Sequence, residues 1–288
     1  MFGDGMMKEA RSRKVIKWVA FALFSLYAFS LLVPLYYMIL NSFKTNLELF
    51  TDPWGMPKKF SFGNYVRAFS GETFKKNNLA LMFLNSSIFT FGSTAVSLIA
   101  VTTFAYTTTR FDFFGRKALK TLALVMFIVP PMGTFAATFK FVYDIGLNDN
   151  WLYIVVMNLS PFGLGYFMVA GFFEGVSKTY AEAARLDGAS ELTLFLKIMV
   201  PQVVPVLAVL GLLGIIGAWN NYETPFYFFR TKPFLSTGLR TLASEATNRG
   251  YYVEMYAAMI VAMAPIIILF SFCHDVILKN TVLGGIKG

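Results

Sequence analysis

Five residues in apolar parts of the chain carry side chains suited to recognising a polar solute. Trp219, Asn220, Asn221 and Tyr222 follow one another in one apolar segment, and Asn158 lies in another. Amide donors and acceptors beside aromatic faces suit sugar hydroxyls and the C–H faces of a sugar ring. Polar side chains within a membrane usually face protein or a water-filled path. We therefore predict that these five residues line a solute path; the alternative is that they join neighbouring helices.

Residues for catalysis or metal binding are scarce. Cys273 and His274 are the single cysteine and the single histidine, which excludes a disulfide framework, a Cys/His zinc site and a Cys–His nucleophile pair. The sequence also lacks the G-x-x-x-x-G-K-[ST] loop that binds nucleotide phosphates. We predict no catalytic residue, no metal site and no cofactor in this chain. Any energy for its function must then be supplied by another chain.

The composition predicts that membrane-spanning helices position the polar residues. Of the 288 residues, 56% are hydrophobic and only 14% are charged, unlike an ordinary soluble domain. A helix needs about 20 apolar residues to cross about 30 Å of hydrocarbon. Six segments are long enough, namely residues 18–40, 81–107, 119–141, 151–173, 203–229 and 255–277. The predicted fold is an all-α polytopic membrane protein with six transmembrane helices.

The charged residues fall in the gaps between these segments and predict the topology. The net charge of +9 is not arranged as a basic-aromatic platform, so we expect no nucleic acid partner. An even number of spans places both termini on one side, and the basic N-terminus with Arg110 and Arg116 predicts that this side is cytoplasmic. The expected division is a cytoplasmic N-terminal segment (1–17), a six-helix domain (18–278) and a cytoplasmic tail (279–288).

Two pairs of residues are expected to interrupt predicted spans. Pro130-Pro131 lies in the third span and Ser160-Pro161 in the fourth, and proline cannot donate a helical hydrogen bond.

Lys140 and Asp144 are four residues apart, which predicts an ion pair on a helix surface rather than an ion site.

A polar stretch, residues 179–201, separates the fourth and fifth spans. Its alanine-rich first part favours a helix, which Gly188 is suited to end because glycine readily adopts a left-handed conformation. Ser190 is predicted to cap a second helix and Pro201 to end it. The second helix is expected to carry an apolar stripe formed by Leu192, Phe195 and Met199. This pattern fits either a docking surface for another protein or an amphipathic helix lying in lipid headgroups.

The spacing in this stretch resembles the "EAA" loop of bacterial ABC importer permeases. The matching residues are Glu182-Ala183-Ala184, Asp187-Gly188-Ala189, Phe195, Ile198, Pro201 and Pro205. The rest of the chain is similar to the MalG-like permeases of carbohydrate importers. The matching segments are "NSFKTNLELF" (41–50), "FGNY" (62–65), "AYTTTRFDFFGRK" (105–117), "AWNNYETP" (218–225) and "GGIKG" (284–288).

The resemblance implies a coupling role for residues 175–201, a cytoplasmic helix-turn-helix between the fourth and fifth spans. The residues implied to dock on an ATPase subunit are Glu182, Ala183, Ala184, Asp187, Gly188, Ala189 and Phe195. It also implies that the outer segment 230–254 contacts a solute-binding protein, for which the candidate residues are Arg240, Glu245 and Arg249.

The resemblance further implies a multi-subunit importer in the plasma (inner) membrane of a bacterium. This chain would be a non-catalytic permease subunit that forms half of the translocation path. Its expected partners are a homologous permease subunit, two ABC ATPase subunits that bind ATP and Mg, and an extracellular or periplasmic solute-binding protein.

The competing hypothesis is an ion-coupled secondary transporter. Such proteins usually hold a carboxylate near the middle of the membrane. Here the acidic residues cluster at the ends of the predicted spans or in loops, and Glu223 is the nearest exception. A membrane-embedded enzyme lacks a plausible acid–base or metal constellation, and a membrane scaffold has no need of the spaced loop.

Overall fold

The computed structural model describes the backbone of residues 2–70, 78–129 and 133–283, and side chains within these ranges from residue 13 to 272 except at Arg249. The described residues form α-helices, one π-helical segment and turns, with no strand among them. The α-helices are α1 (Phe2–Ser42), α2 (Asn46–Thr51), α3 (Gly63–Ser70), α4 (Leu79–Arg110), α5 (Arg116–Ile128), α6 (Phe135–Asp144), α7 (Leu152–Asn158), α8 (Leu164–Gly175), α9 (Lys178–Leu186), α10 (Glu191–Leu194), α11 (Val200–Asn220), α12 (Glu223–Phe228), α13 (Leu235–Arg249) and α14 (Tyr252–Leu283). The predicted all-α fold is confirmed.

Four helical stretches of the described chain are long and apolar enough to cross a membrane. They are Arg13–Ser42, Leu79–Arg110, Glu191–Asn220 and Tyr252–Phe272, and they coincide with the first, second, fifth and sixth predicted spans. Helix α1 continues without a break through the expected boundary at residue 17, and α14 continues past the expected boundary at residue 278. The apolar side chains of α1, such as Trp18 and Phe24, are largely exposed, as contact with lipid requires.

The third and fourth predicted spans are each divided between two shorter helices. In the fourth, α7 ends at Asn158 and α8 begins at Leu164, so the predicted interruption at Ser160-Pro161 is confirmed. Pro161 lacks the N–H that would continue α7, and Gly163 has a φ of 126°, which side chains rarely allow. In the third, α5 ends at Ile128 and α6 begins at Phe135, while Pro130-Pro131 lies outside the described residues. The count of six spans stays a prediction.

The first compact unit comprises Met1–Asn78 and Thr241–Ala262. Its buried centre is polar near the end of α1, where Asn64 donates to the carbonyls of Ser42 and Lys44 at 2.7 and 2.8 Å. The Lys44 ammonium is buried and donates to the carbonyl of Asp52 at 2.8 Å. These bonds satisfy backbone carbonyls that would otherwise be costly to bury. They hold the turns after α1 against the end of that helix.

The second compact unit comprises Leu79–Arg240 and Met263–Gly288, and α4 is its central helix. Helix α4 packs against α7, α8 and α11. At Gly214 of α11 a methyl group would meet the side chain of Thr94 of α4 at 3.1 Å, so a larger residue there would require Thr94 to shift. Small residues at such crossings increase the packing contacts that hold membrane helices together.

Two apolar clusters are formed by the described residues of this second unit. One surrounds Phe89 and includes Tyr153, Phe228 and Phe229. The other surrounds the second half of α4 and includes Tyr106, Phe173 and Met199 together with Ala184 of α9. The second cluster therefore anchors the polar stretch that follows α8.

Candidate functional site

The polar stretch forms two helices joined by a tight turn, as the residue pattern predicts. Ser177 caps α9, with its hydroxyl accepting from the N–H of Thr179 at 3.2 Å. Gly188 has a φ of 80°, and its N–H donates to the carbonyl of Arg185. The next N–H, that of Ala189, donates to the carbonyl of Ala184 at 2.9 Å. This pair of bonds is the Schellman arrangement that terminates helices at a left-handed residue.

Ser190 caps the second helix, which confirms its predicted role. Its hydroxyl accepts from the N–H of Thr193 at 3.2 Å, satisfying a donor that the first turn of α10 leaves free. Arg185 of α9 reaches across the turn to both carboxylate oxygens of Glu191, at 2.8 and 3.3 Å. The hydrogen bond to Glu191 raises the pKa of the Arg185 guanidinium, so the guanidinium stays protonated. The turn is therefore held by backbone, cap and ion-pair contacts.

The predicted end of the second helix at Pro201 is wrong. Helical structure runs from Glu191 to Asn220, and it passes Pro201 through a π-helical segment, Phe195–Met199. The N–H of Val200 donates to the carbonyl of Phe195, five residues earlier. A π-helical turn shifts the pattern of backbone hydrogen bonds. The helix can therefore continue through Pro201, although proline has no N–H to donate. The turn at Gly188 is thus continuous with the long apolar helix.

Three of the residues predicted to dock on an ATPase pack wholly or partly against the body of this chain. Ala184 is only 6% exposed, and Ala189 packs against the same cluster. Phe195 is half-buried, with its ring centroid 4.7 Å from that of Tyr106 on α4. These small and aromatic side chains attach α9 and the π-helical segment to α4. Their contacts position the turn.

The other four predicted docking residues are exposed. They are Glu182, Ala183, Asp187 and Gly188. Sequence reasoning missed the apolar part of this surface, because Leu186 is 89% exposed and Leu192 is 66% exposed. Leu192 is therefore not part of an inward stripe with Met199, which is fully buried. Exposed apolar side chains near charged ones are compatible with an interaction surface.

Two arginines, one at the end of α4 and one at the start of α5, attach this region to the neighbouring helices, and their partners were not predicted. The Nη2 of Arg110 donates to the carbonyls of Phe173 and Val176, the latter at 2.6 Å. Arg116 donates from Nε to the carbonyl of Thr108 at 2.7 Å. Both arginines thereby satisfy carbonyls at helix C-termini, which lack intrahelical donors. The type of residue was a visible signal, but the partner carbonyls depend on the tertiary fold.

The fifth-span cluster is less uniform than its sequence indicates. Trp219 is buried, with its ring centroid 5.5 Å from that of Phe83, so it packs within the protein. Asn220 is exposed and donates to the carbonyl of Ile216. Asn158 likewise donates within its own helix, to the carbonyl of Ile154 at 2.8 Å.

Asn221 ends the fifth span earlier than predicted. Helix α11 stops at Asn220 and a separate α12 follows, so the predicted continuous span to residue 229 is wrong. The Asn221 side-chain oxygen accepts from the N–H of Thr224 at 2.9 Å, a contact of the capping type made from the residue just before the N-cap, Tyr222. The cap satisfies a free donor at the start of α12. Asn221 therefore has a structural role that the sequence pattern did not distinguish from solute binding.

The predicted outer loop 230–254 contains a long helix, α13. Its start is attached to α4, because Asn85 donates to the carbonyl of Pro233 and Ser86 accepts from the N–H of Leu235. Arg240 is exposed, with its guanidinium carbon 4.9 Å from the ring centroids of both Tyr222 and Phe226. A cation at this distance from an aromatic face is attracted to it. One predicted binding-protein residue thus contacts one predicted path residue.

The two other candidates of this segment lie further along α13. Glu245 is half-buried. Arg249 is the last residue of α13, and its side chain lies outside the described residues. The ion pair predicted on α6 is present, with Lys140 donating to Asp144 at 2.6 Å and both side chains exposed.

The fold and these sites define a helical integral membrane protein. The model of one protein family, described as binding-protein-dependent transport system inner membrane component, matches residues 99–282. The match covers more than half of the chain, and the chain belongs to that family. It is a permease of the ABC importer class, which works with an ATPase and a solute-binding protein. The ion-coupled alternative is not supported.

Relatives and a solved structure agree with this assignment over nearly the whole chain. The chain is 26% identical to the arabinooligosaccharides transport system permease protein AraQ of Bacillus subtilis, over 98% of this chain and 100% of that protein. It is 25% identical to the melibiose/raffinose/stachyose import permease protein MelC of the same species, over 89% and 91%. The crystal structure of a bacterial ABC transporter that imports the acidic polysaccharide alginate contains a chain of the same fold, with a TM-score of 0.76, 22% identity and coverage of 92% and 97%.

Proposed function

We propose that this chain is one of two homologous permease subunits that together form the membrane path of a carbohydrate importer. The support for a carbohydrate is the set of relatives, whose names specify arabinooligosaccharides and melibiose, raffinose or stachyose. Asn220 and Tyr222, with partly or fully exposed polar side chains near the end of α11, are the residues of the fifth-span cluster best placed to meet the sugar. Trp219 supports them by packing, and Asn221 by capping α12.

The observation that carries the coupling role is the geometry of the turn at Gly188. The exposed residues Glu182, Ala183, Asp187 and Leu186 lie on a turn that is locked internally and continuous with α11. A displacement of this turn is therefore passed to a membrane-spanning helix instead of being absorbed in a flexible loop. We propose that ATPase subunits, which bind ATP and Mg, dock on this surface and move it. Basic residues near this end of α4 favour its placement on the cytoplasmic side.

The outer partner is proposed to be a solute-binding protein that contacts α13. Arg240 is the strongest candidate contact, because it is exposed and its position is defined by the rings of Tyr222 and Phe226. Glu245 and Arg249 lie on the same helix. This arrangement would link binding of the solute-binding protein on α13 to residues at the end of α11.

Affinity purification followed by reconstitution tests the proposed function. The tagged chain, purified from native membranes, should retain a homologous permease and an ATPase. The complex in sealed vesicles should then import an oligosaccharide only with its binding protein outside and ATP with Mg inside. Uptake driven by a proton or sodium gradient without ATP would contradict the proposal.

A further inference from the structure

A polar cavity of about 200 Å³ lies beneath α9, at the end of α4. Six charged side chains line it, namely Arg110, Asp112, Arg116, Lys178, Glu182 and Arg185. The membrane-spanning stretch of α4 ends at Arg110, which places the cavity at the boundary between membrane and water. One water molecule takes up about 30 Å³ in the liquid, so the cavity has room for a small oxyanion and several waters.

The charge of the cavity wall is positive. Four cationic side chains oppose two carboxylates, and the Asp112 carboxylate is already bonded to Arg116. Arg185 is paired with Glu191 outside the cavity. The Lys178 side chain has no ion pair or hydrogen bond within the described part of the chain. The charge of Glu182 acts on Arg185, but the two side chains form no ion pair there. The unneutralised positive charge is therefore carried mainly by Arg110 and Lys178.

Two of the cationic side chains of this cavity are held in position by the protein itself. Arg110 and Arg116 are held by backbone carbonyls of α8 and α4, so their charges stay in position when the cavity is empty. Such preorganisation removes part of the entropy cost of binding. Guanidinium groups are the preferred partners of phosphate oxygens.

We propose that this cavity binds a phosphate group, and that the phosphate belongs to the headgroup of an anionic membrane lipid. Basic pockets between membrane helices at the membrane surface are known to receive such headgroups. The position at the end of a membrane-spanning helix places the cavity within reach of lipid phosphates. A bound headgroup would tie α9 to α4 and so stiffen the attachment of the turn at Gly188.

Lys178→Gln is the first test variant, because the change should not unfold α9. Lys178 is exposed in the first turn of that helix, where a positive charge opposes the helix dipole, so its removal is neutral or favourable for the helix. Lys197→Gln is the matched control, since Lys197 is exposed and lies outside the cavity. Glu182→Gln is the opposite test, because it removes a negative charge from the cavity wall.

The experiment measures lipid and phosphate binding to the intact purified complex. Native mass spectrometry determines the affinity for added phosphatidylglycerol, with phosphatidylcholine as the uncharged comparison. Equilibrium binding of radiolabelled inorganic phosphate to the complex in phosphatidylcholine nanodiscs forms the second arm. One charge within a few ångströms, partly screened by solvent, changes affinity about threefold to tenfold.

The proposal expects Lys178→Gln to weaken phosphatidylglycerol binding by that factor, Glu182→Gln to strengthen it and Lys197→Gln to leave it unchanged. The same pattern with inorganic phosphate and not with the lipid would retain the phosphate site and overturn the lipid as its source. Equal effects of the two lysine variants, or no effect of Glu182→Gln, would refute the site. A complex that binds neither probe would refute it as well.

Discussion

The turn at Gly188 makes the most specific prediction, because one backbone angle holds it. With φ at 80° and no atom within 4 Å of a would-be Cβ, a substitution at Gly188 meets no neighbour. Within this chain, any effect of a new side chain at this position must therefore arise from the left-handed backbone itself. This property makes Gly188 a direct probe of the turn geometry, without disturbance of packing.

The magnitude follows from the cost of the left-handed conformation. For a residue with a Cβ the cost is about 1–2 kcal/mol, and a β-branched residue lies at the upper end. An energy of this size shifts the population of the native turn by a factor of roughly 5 to 30. Asparagine tolerates the left-handed region best, so the expected order of damage is Gly188→Asn, then Gly188→Ala, then Gly188→Val.

Co-purification of the ATPase and solute uptake, measured in membranes with equal permease levels, provide the assay. Both should fall in the order Asn, Ala, Val. Gly175→Val is the matched control, because Gly175 ends α8 with an ordinary backbone and also has open space around its Cβ position. If Gly188→Val retains full ATPase binding and uptake, or if Gly175→Val is equally harmful, the turn does not act as a rigid coupling element.

Three further predictions concern side chains whose contacts the fold reveals. Arg110→Gln leaves carbonyls at the end of α8 without a donor and should lower the stability of the complex by about 1–3 kcal/mol, measured as a lower melting temperature. The control, Lys120→Gln, removes an exposed ion pair and should lower the stability by under about 1 kcal/mol. Asn221→Leu should reduce the yield of complex by removing a cap worth about 1 kcal/mol. Asn220→Leu should leave the yield of complex unchanged and reduce solute flux; if Asn220→Leu reduces yield and flux equally, Asn220 has no role in the path. Arg240→Gln should lower ATP hydrolysis stimulated by the binding protein and leave basal hydrolysis unchanged, and an unchanged stimulation would remove Arg240 from that contact.

The local features of the turn could be predicted from the sequence because their causes are local. A glycine after an alanine-rich helix and a serine before a glutamate act through their own backbone and the next few residues. The break at Ser160-Pro161 is of the same kind. Each of these predictions depends on residue type within one helical turn, and each agrees with the structure.

The features that were missed depend on neighbours distant in sequence. Ala183 and Ala184 are chemically identical, yet Ala184 is buried and Ala183 is exposed, because only one of them faces the cluster around Tyr106. Pro201 was expected to end a helix, but the π-helical segment before it allows the helix to continue without the N–H that proline lacks. Asn221 and Asn220 also look alike in sequence, and only the start of α12 gives Asn221 its capping role.

Site-specific photo-crosslinking at Leu186 tests the coupling surface most directly. Leu186 is 89% exposed beside the Gly188 turn, so a photoreactive amino acid there should not disturb the fold. The proposed function predicts a covalent adduct with the ATPase subunit, and none from the same amino acid at Leu152, an exposed position at the start of α7. Adducts to lipid alone at Leu186 in an assembled, transporting complex would contradict the coupling role and favour a turn that lies in the membrane surface.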